Sequence, residues 1–407
     1  MSTIRPSTPP PRVLREPPTI AIVTPSYQMA GFLRETIDSV LAQDWPHVDY
    51  LVMDGGSRDG TRELLESYGD RIRWVSESDG GQADAVNLGF TRTSGELFAF
   101  LNADDTYRPG ALRRAVEGFE RHRDAGAVYG DADFTDAKGA TVRPYLVRDF
   151  DRERLMYDCF ICQPASFIRR DAWKACGGLD SSLNYALDYD LWIRMSERRP
   201  VTRIAGTLAT SRMHVGNKSL GERSRLYKES IAVTKRHFGY VPMTWLEPYA
   251  RHLADRVDQF YAHSLPTRRS RALALTLGIR HNPRHLGRFW NDWQSDGCTH
   301  RFGDGWMSKA HRSRHTVPAQ ATKLVVAGRH HARVRRPLVL QVAADGQRLG
   351  RVVMRHNGSF ERAFSVPAEL RGRHCEVEVV SAWTWRPGER RGDTRRLSCL
   401  LDRVAFE

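Results

Sequence analysis

Four short apolar runs, separated by helical patterns and each followed by a polar motif, constrain the first hundred residues. Residues 19–23 (TIAIV) end at Thr24-Pro25, and residues 50–53 (YLVM) run into Asp54-Gly55-Gly56. Residues 72–75 (IRWV) form a third run, and residues 97–101 (LFAFL) lead straight into Asn102-Ala103-Asp104-Asp105. Between the first two, Phe32, Leu33, Ile37, Val40 and Leu41 recur at helical spacing, and Pro46 stands past the helix end. Residues 61–68 and 84–91 read as two more helices. Strands alternating with helices at this spacing predict an α/β fold with an open, mostly parallel sheet. Ligands bind such sheets outside the carboxyl ends of the strands. Residues 24–27, 54–60 and 102–105 all fall on that rim.

The rest of the 407 residues has a different character. Residues 221–297 read as a helical region. Residues 298–407 read as an all-β sandwich domain, with short strands near 324–326, 338–342, 349–354, 360–366 and 375–380. Asp345-Gly346, Asn357-Gly358 and Arg371-Gly372 supply turns between them. Residues 1–18, with Pro6, Pro9, Pro10, Pro11, Pro17 and Pro18 and no apolar stretch, read as a flexible tail rather than a secretory signal. No run approaches the roughly 18–20 apolar residues of a membrane helix. The expectation is a cytoplasmic protein, peripheral at the inner face of the membrane.

Charge separates the halves. Residues 1–220 hold 28 Lys and Arg against 31 Asp and Glu, a net −3; the remainder holds 34 against 17, a net +17. So basic a second half suits an anionic partner: a membrane surface, a lipid phosphate or an acidic glycan. Nucleic acid is set aside, because no aromatic-basic strand motif of the RNA-binding kind appears. The six cysteines do not make a disulfide framework in a chain of this length. Cys159 and Cys162 have CxxC spacing without a second pair, and inert buried thiols are expected there.

Asp104 and Asp105 at a strand mouth can offer oxygen ligands to Mg²⁺ or Mn²⁺, which often use one or two carboxylates plus substrate phosphates. The competing reading is an acidic turn before Pro109. Order decides between them. Thr24-Pro25-Ser26-Tyr27, the segment 54–61 (DGGSRDGT) and residues 101–105 (LNADD) are followed by Gly177-Gly178-Leu179-Asp180 and by residues 188–192 (DYDLW). This ordered set resembles the inverting glycosyltransferase family 2, of the GT-A fold, over about residues 19–220. The resemblance implies a nucleotide-diphospho-sugar transferase domain with a divalent ion, Mn²⁺ or Mg²⁺. It implies a UDP-, GDP- or dTDP-sugar donor and a glycan or lipid-linked glycan acceptor.

The same resemblance implies residue roles. Thr24, Pro25, Tyr27 and Asp54 belong to the nucleotide loops; Asn102, Ala103 and Asp104 belong to the DxD-like motif, with Asn102 replacing its first aspartate. Asp104, Asp105 and His214 are the metal candidates. Asp188 holds the position of the general base, with Asp190 as the alternative. Gln82 and Asp84, after Gly80-Gly81, are expected to face the sugar or diphosphate. Gln163 and Trp192 are placed on the acceptor side. Trp306, Trp383 and Trp385 are candidates for stacking on sugar rings. Two other functions fit the same fold class less well. A sugar-nucleotide pyrophosphorylase would carry a long Gly-rich phosphate loop near its start, which Thr24-Pro25-Ser26-Tyr27 is not. A non-catalytic protein holding a glycan or an anionic surface would have been favoured by loss of Asp104 and Asp188, and both are present.

Overall fold

The computed structural model describes residues 17–214, 216–256, 267–294, 306–307, 310–330, 337–382 and 398–407. Most of the expected N-terminal tail, Cys298, Asp304, Gly305, Trp383 and Trp385 lie outside the described residues, as does the side chain of Trp306. The chain forms two compact units, Met1–Gly239 and Tyr240–Glu407.

In the first unit the order is β1 (Ile20–Ser26), α1 (Ala30–Leu41), β2 (Val48–Asp54), α2 (Thr61–Glu66), β3 (Arg73–Ser76), α3 (Gln82–Thr91) and β4 (Leu97–Phe100). There follow β5 (Thr106–Tyr107), α4 (Ala111–Arg121), β6 (Ala127–Thr135), β7 (Thr141–Pro144), α5 (Arg152–Leu155) and β8 (Ser166–Arg169). The unit closes with α6 (Arg170–Cys176), α7 (Leu187–Ser196), β9 (Val201–Arg212), α8 (Lys218–Gly221) and α9 (Arg223–Phe238). The nine strands make one sheet in the order β3-β2-β1-β4-β8-β6-β9-β5, with β7 on β6.

The four apolar runs are the parallel half, β3-β2-β1-β4. Every residue of β1 is buried, as a strand covered on both faces requires. Helix α3 packs close to β1 because Gly89 faces it: a Cβ there would stand 2.6 Å from a Val23 methyl. The other half mixes directions. β8 runs antiparallel to both β4 and β6, and β5 runs antiparallel to β9, while β6 and β9 are parallel. The sheet is therefore mixed rather than mostly parallel. That matters for the site. An antiparallel β8 starts at the rim where β4 ends, so Gln163, in the 3₁₀ turn Gln163–Ala165, donates its amide to the Phe100 carbonyl at 2.6 Å. The strands missed in the sequence are those where Arg, Thr and Asp interrupt the apolar pattern, as in β6 and β9.

In the second unit, α10 (Met243–Asp255), α11 (Arg268–His281) and α12 (Leu286–Gln294) precede β10 (Trp306–Met307), β11 (Ala310–Thr316), β12 (Lys323–His330) and β13 (Leu338–Ala344). β14 (Gln347–Met354), β15 (Gly358–Ser365), β16 (His374–Ser381) and β17 (Cys399–Phe406) complete it. The strands form two antiparallel sheets, β10-β17-β12-β15 and β11-β16-β13-β14. Leu324, Val326 and Leu401 of one sheet share a core with Leu340, Val342 and Val377 of the other, which makes a sandwich. The Asp345-Gly346 signal joins β13 to β14, with φ of 46° and 79° at the two residues, as a two-residue I′-type hairpin turn needs.

Candidate functional site

A cleft of about 1210 Å³ opens at the rim of the first unit's sheet. Pro25 and Tyr27 reach it from the end of β1, and Asn102, Ala103 and Asp104 from the loop after β4. Gln82 enters from the start of α3 and Gln163 from the turn before β8. Asp188 comes from the first turn of α7, and His214 from just beyond β9. Residues nearly two hundred positions apart thus face one space.

The acidic loop is held from two sides. Thr36 of α1 donates its hydroxyl to the carbonyls of Ala103 and Asp105, at 2.9 and 2.8 Å. From the end of β9, Arg212 donates Nε to the Asp104 carbonyl at 2.9 Å and its backbone N–H to the Asp105 carboxylate at 2.9 Å. These bonds turn the Asp104 side chain into the cleft, where His214 Nε2 lies 3.1 Å from Asp104 Oδ2. The His214 ring packs against Phe32, with centroids 4.4 Å apart and the planes tilted by 34°. Asn217 Nδ2 reaches the same Asp104 oxygen at 3.4 Å.

Asn102 is fixed by a chain of amides. Gln82 Nε2 donates to Asn102 Oδ1 at 2.7 Å, and Asn102 Nδ2 donates to Gln163 Oε1 at 3.2 Å and to Asp105 Oδ2 at 3.1 Å. Lys218 Nζ donates to Gln82 Oε1 at 3.2 Å and so carries the chain to α8. Burial lowers the Lys218 ammonium from its usual range. Lys218, Asn184, Tyr185 and Arg58 line the cleft without having been among the candidates that motif order supplied.

Asp188 lines the same cleft but is packed in on most sides, and burial pushes its carboxyl up to about 6. That is the range in which a carboxylate can take a proton near neutral pH.

Six predicted residues do not line this cleft. Thr24 is buried, its hydroxyl 3.1 Å from that of Tyr50. The Asp54 carboxylate is occupied by its own loop, accepting from Gly56 N, Ser57 N, Ser57 Oγ and Ser76 Oγ at 2.5–3.2 Å. Asp84 accepts from the Ser181 hydroxyl and borders a second, smaller cavity with Asp79 and Asn87. Asp105 is buried, and burial and the adjacent Asp104 charge push its carboxyl well above the usual range. Trp192 is fully buried. Asp190 turns inward from α7 and is fully enclosed. Arg194 Nε at 2.7 Å, an Arg236 terminal nitrogen at 2.5 Å and His237 Nε2 at 2.7 Å surround its carboxylate. Burial alone would raise that carboxyl, but the His237 hydrogen bond and the two arginines outweigh it and hold it down at about 2. This is the environment of an anchor, not of a proton acceptor.

Among the described residues, no three His, Cys, Asp or Glu side chains converge as a ready-made metal site. The Asp104–His214 pair does suit a partial one. Two neighbouring ligands at about 2.1 Å from a six-coordinate ion stand about 3 Å apart, and these two donor atoms are 3.1 Å apart. A hard divalent ion routinely takes its remaining ligands from water and substrate phosphates. Cys159 and Cys162 are free thiols, and burial holds both well above the usual range, so neither is a metal or redox candidate.

Residues 21–175 match the family described as glycosyl transferase family 2. The match to glycosyltransferase family 2 thus falls within the first unit. An uncharacterized glycosyltransferase of Rickettsia typhi is 31% identical over 208 residues, covering 48% of this chain and 64% of that protein. Chondroitin synthase of Escherichia coli is 23% identical over 257 residues, covering 60% and 37%. Among solved structures, TarS of S. aureus aligns with 95% of this chain and 86% of its own at 12% identity and a TM-score of 0.47. The chain spans about a third to two thirds of the length of the first curated relatives it matches. The match ends between β8 and α7, so Asp188 and His214 lie beyond it. Among the described residues, no helix is long and apolar enough to cross a membrane.

Proposed function

We propose that the protein transfers a sugar from a nucleoside-diphosphate donor to a hydroxyl of a glycan or lipid-linked glycan, with inversion at the anomeric carbon. The observation that carries this reading is that Asp188 and the Asp104–His214 pair line one cleft. Tyr27, 62% exposed at the cleft mouth, offers a ring on which a nucleobase can stack. Asp104 and His214 are the residues that would hold a divalent ion, which as a Lewis acid stabilises the departing diphosphate. The Lys218 ammonium, facing the same space, adds a positive charge for the diphosphate. The Gln82–Asn102–Gln163 chain holds the floor rigid between them. Asp188 takes the proton from the acceptor hydroxyl as that oxygen attacks the anomeric carbon from the side opposite the leaving group. The basic second half, net +17, supports an anionic or membrane-borne acceptor and a peripheral cytoplasmic location.

A donor screen tests the reading. UDP-, GDP- and dTDP-sugars with Mn²⁺ or Mg²⁺ are followed for binding by thermal shift and for turnover by nucleotide release. Asp104→Ala should weaken donor binding and turnover together. Asp188→Asn should keep donor binding and lose about 10²–10⁴ in turnover, the usual worth of a general base. If no donor binds, or if both variants match wild type, the protein is not this enzyme.

A further inference from the structure

Helix α9 makes a contact with the Asp188 segment that the transfer reading leaves unused. Helix α7 begins without a capping side chain, because its N-cap is Ala186. The three backbone N–H groups ahead of the helix are satisfied instead by one carboxylate from α9. Glu229 accepts from Asn184 N at 2.9 Å, Tyr185 N at 2.5 Å and Ala186 N at 2.6 Å. Its neighbours at seven-residue spacing, Glu222 and Arg236, bind the same region. Glu222 accepts from the Tyr185 hydroxyl at 2.7 Å, and Arg236 donates to Asp180 at 3.0 Å and Asp190 at 2.5 Å. Residues seven apart lie on one face of a helix, so one charged stripe of α9 grips the chain from Asp180 to Asp190. Two residues beyond the Glu229 bonds stands Asp188.

We propose that Glu229 is a positioning residue for sugar transfer, acting through three backbone hydrogen bonds that fix the segment bearing Asp188; this rests on the transferase reading above. Two effects follow. The carboxylate holds residues 184–186 in one geometry, and a displaced base loses rate steeply, since a shift of about 1 Å can cost a hundredfold. Its negative charge also disfavours ionisation of Asp188, adding to the effect of burial. Among the described residues, Tyr145, Cys159 and Cys162 also feel the Asp188 charge, and burial holds all three above their usual ranges, so they stay protonated and uncharged at neutral pH. Glu229 is the charged group in that set.

The full chain carries the test, with Asp188→Asn measured alongside. Glu229→Gln keeps an acceptor oxygen and removes the charge. It should move the acid limb of kcat/KM to lower pH by about half a unit. Glu229→Ala should lower kcat about ten- to a hundredfold, with donor KM within about twofold, and speed hydrogen exchange at the amides of residues 184–186. Glu229→Asp should keep the wild-type acid limb while losing part of kcat. If Glu229→Ala does not fold, the Glu229→Gln limb decides: an unmoved limb overturns the proposal. Wild-type kcat and limb in both variants, with Asp188→Asn inactive, overturns the role of Glu229 and leaves the transferase reading standing. Wild-type turnover in Asp188→Asn brings down both.

Discussion

Asp188 and Asp190 are two carboxylates two residues apart with opposite surroundings. One is pushed up to about 6 by burial beside the cleft; the other is held at about 2 by His237 and two arginines. In the sequence they were rivals for one role, because Asp-Tyr-Asp at a helix start presents both in the same way. The helical turn separates them by about 200°, so one faces the cleft and the other the protein. For Asp188, a raised carboxyl pKa means the folded state binds a proton more tightly than the unfolded chain. The associated stability is present below pH 4 and is lost as pH rises through about 6. Asp188→Asn should therefore melt higher than wild type at pH 8, and the gap should close near pH 4; scanning calorimetry at the two pH values checks it. In the wild type, kcat/KM should fall on the acid side with a midpoint near 6. A variant that melts lower at pH 8 would mean that Asp188 is a structural anion.

Helix α7 is held to α9 at two points: Glu229 binds the backbone N–H groups of residues 184–186 just ahead of it, and Arg236 and His237 bind the Asp190 carboxylate. Asp190 has a depressed pKa, so its contribution is complete above about pH 4 and is lost as pH falls toward 2. That contribution is on the order of 1–2 kcal/mol, trimmed for the solvent that reaches Arg236. Asp190→Asn should lower the urea midpoint at pH 7 by a corresponding amount and leave it nearly unchanged at pH 2. The elements themselves were partly legible. Apolar runs revealed β1 to β4, and helical spacing revealed α1 and α3. By contrast, β6 and β9 carry Asp131, Asp133, Arg203 and Thr207 within the strand, and only pairing against neighbours identifies them. The seven-residue stripe of Glu222, Glu229 and Arg236 was present in the sequence, but nothing local says what faces it.

The two units have separate cores, one built on the nine-stranded sheet of the first unit and one between the two sandwich sheets. Separate cores predict that donor binding raises the melting of the first unit alone. A donor at about a hundred times its Kd adds about 2.7 kcal/mol to the unit that binds it. Unfolding followed by hydrogen exchange, peptide by peptide, should show that gain in residues 17–239 and none in 240–407. The charge of the second half predicts that the full chain sediments with vesicles of anionic lipid at low salt and is released near 0.5 M salt, at roughly which ionic strength exposed charges are screened beyond about 4 Å. Neutral vesicles should not carry it down.

The order of apolar runs and polar motifs was enough to place the binding rim, because strand ends are a local property of the chain. Motif order also pointed to Asp104, His214 and Asp188, three residues that the fold brings to one cleft. It could not say which polar residues turn into the cleft. Thr24, Asp54, Asp84, Asp105 and Asp190 are consumed by hydrogen bonds to groups from 2 to 107 residues away. Lys218 and Glu229 reach the site from helices that follow the sheet. A side chain's partner in the folded state is decided by packing across the whole unit, which no local pattern records.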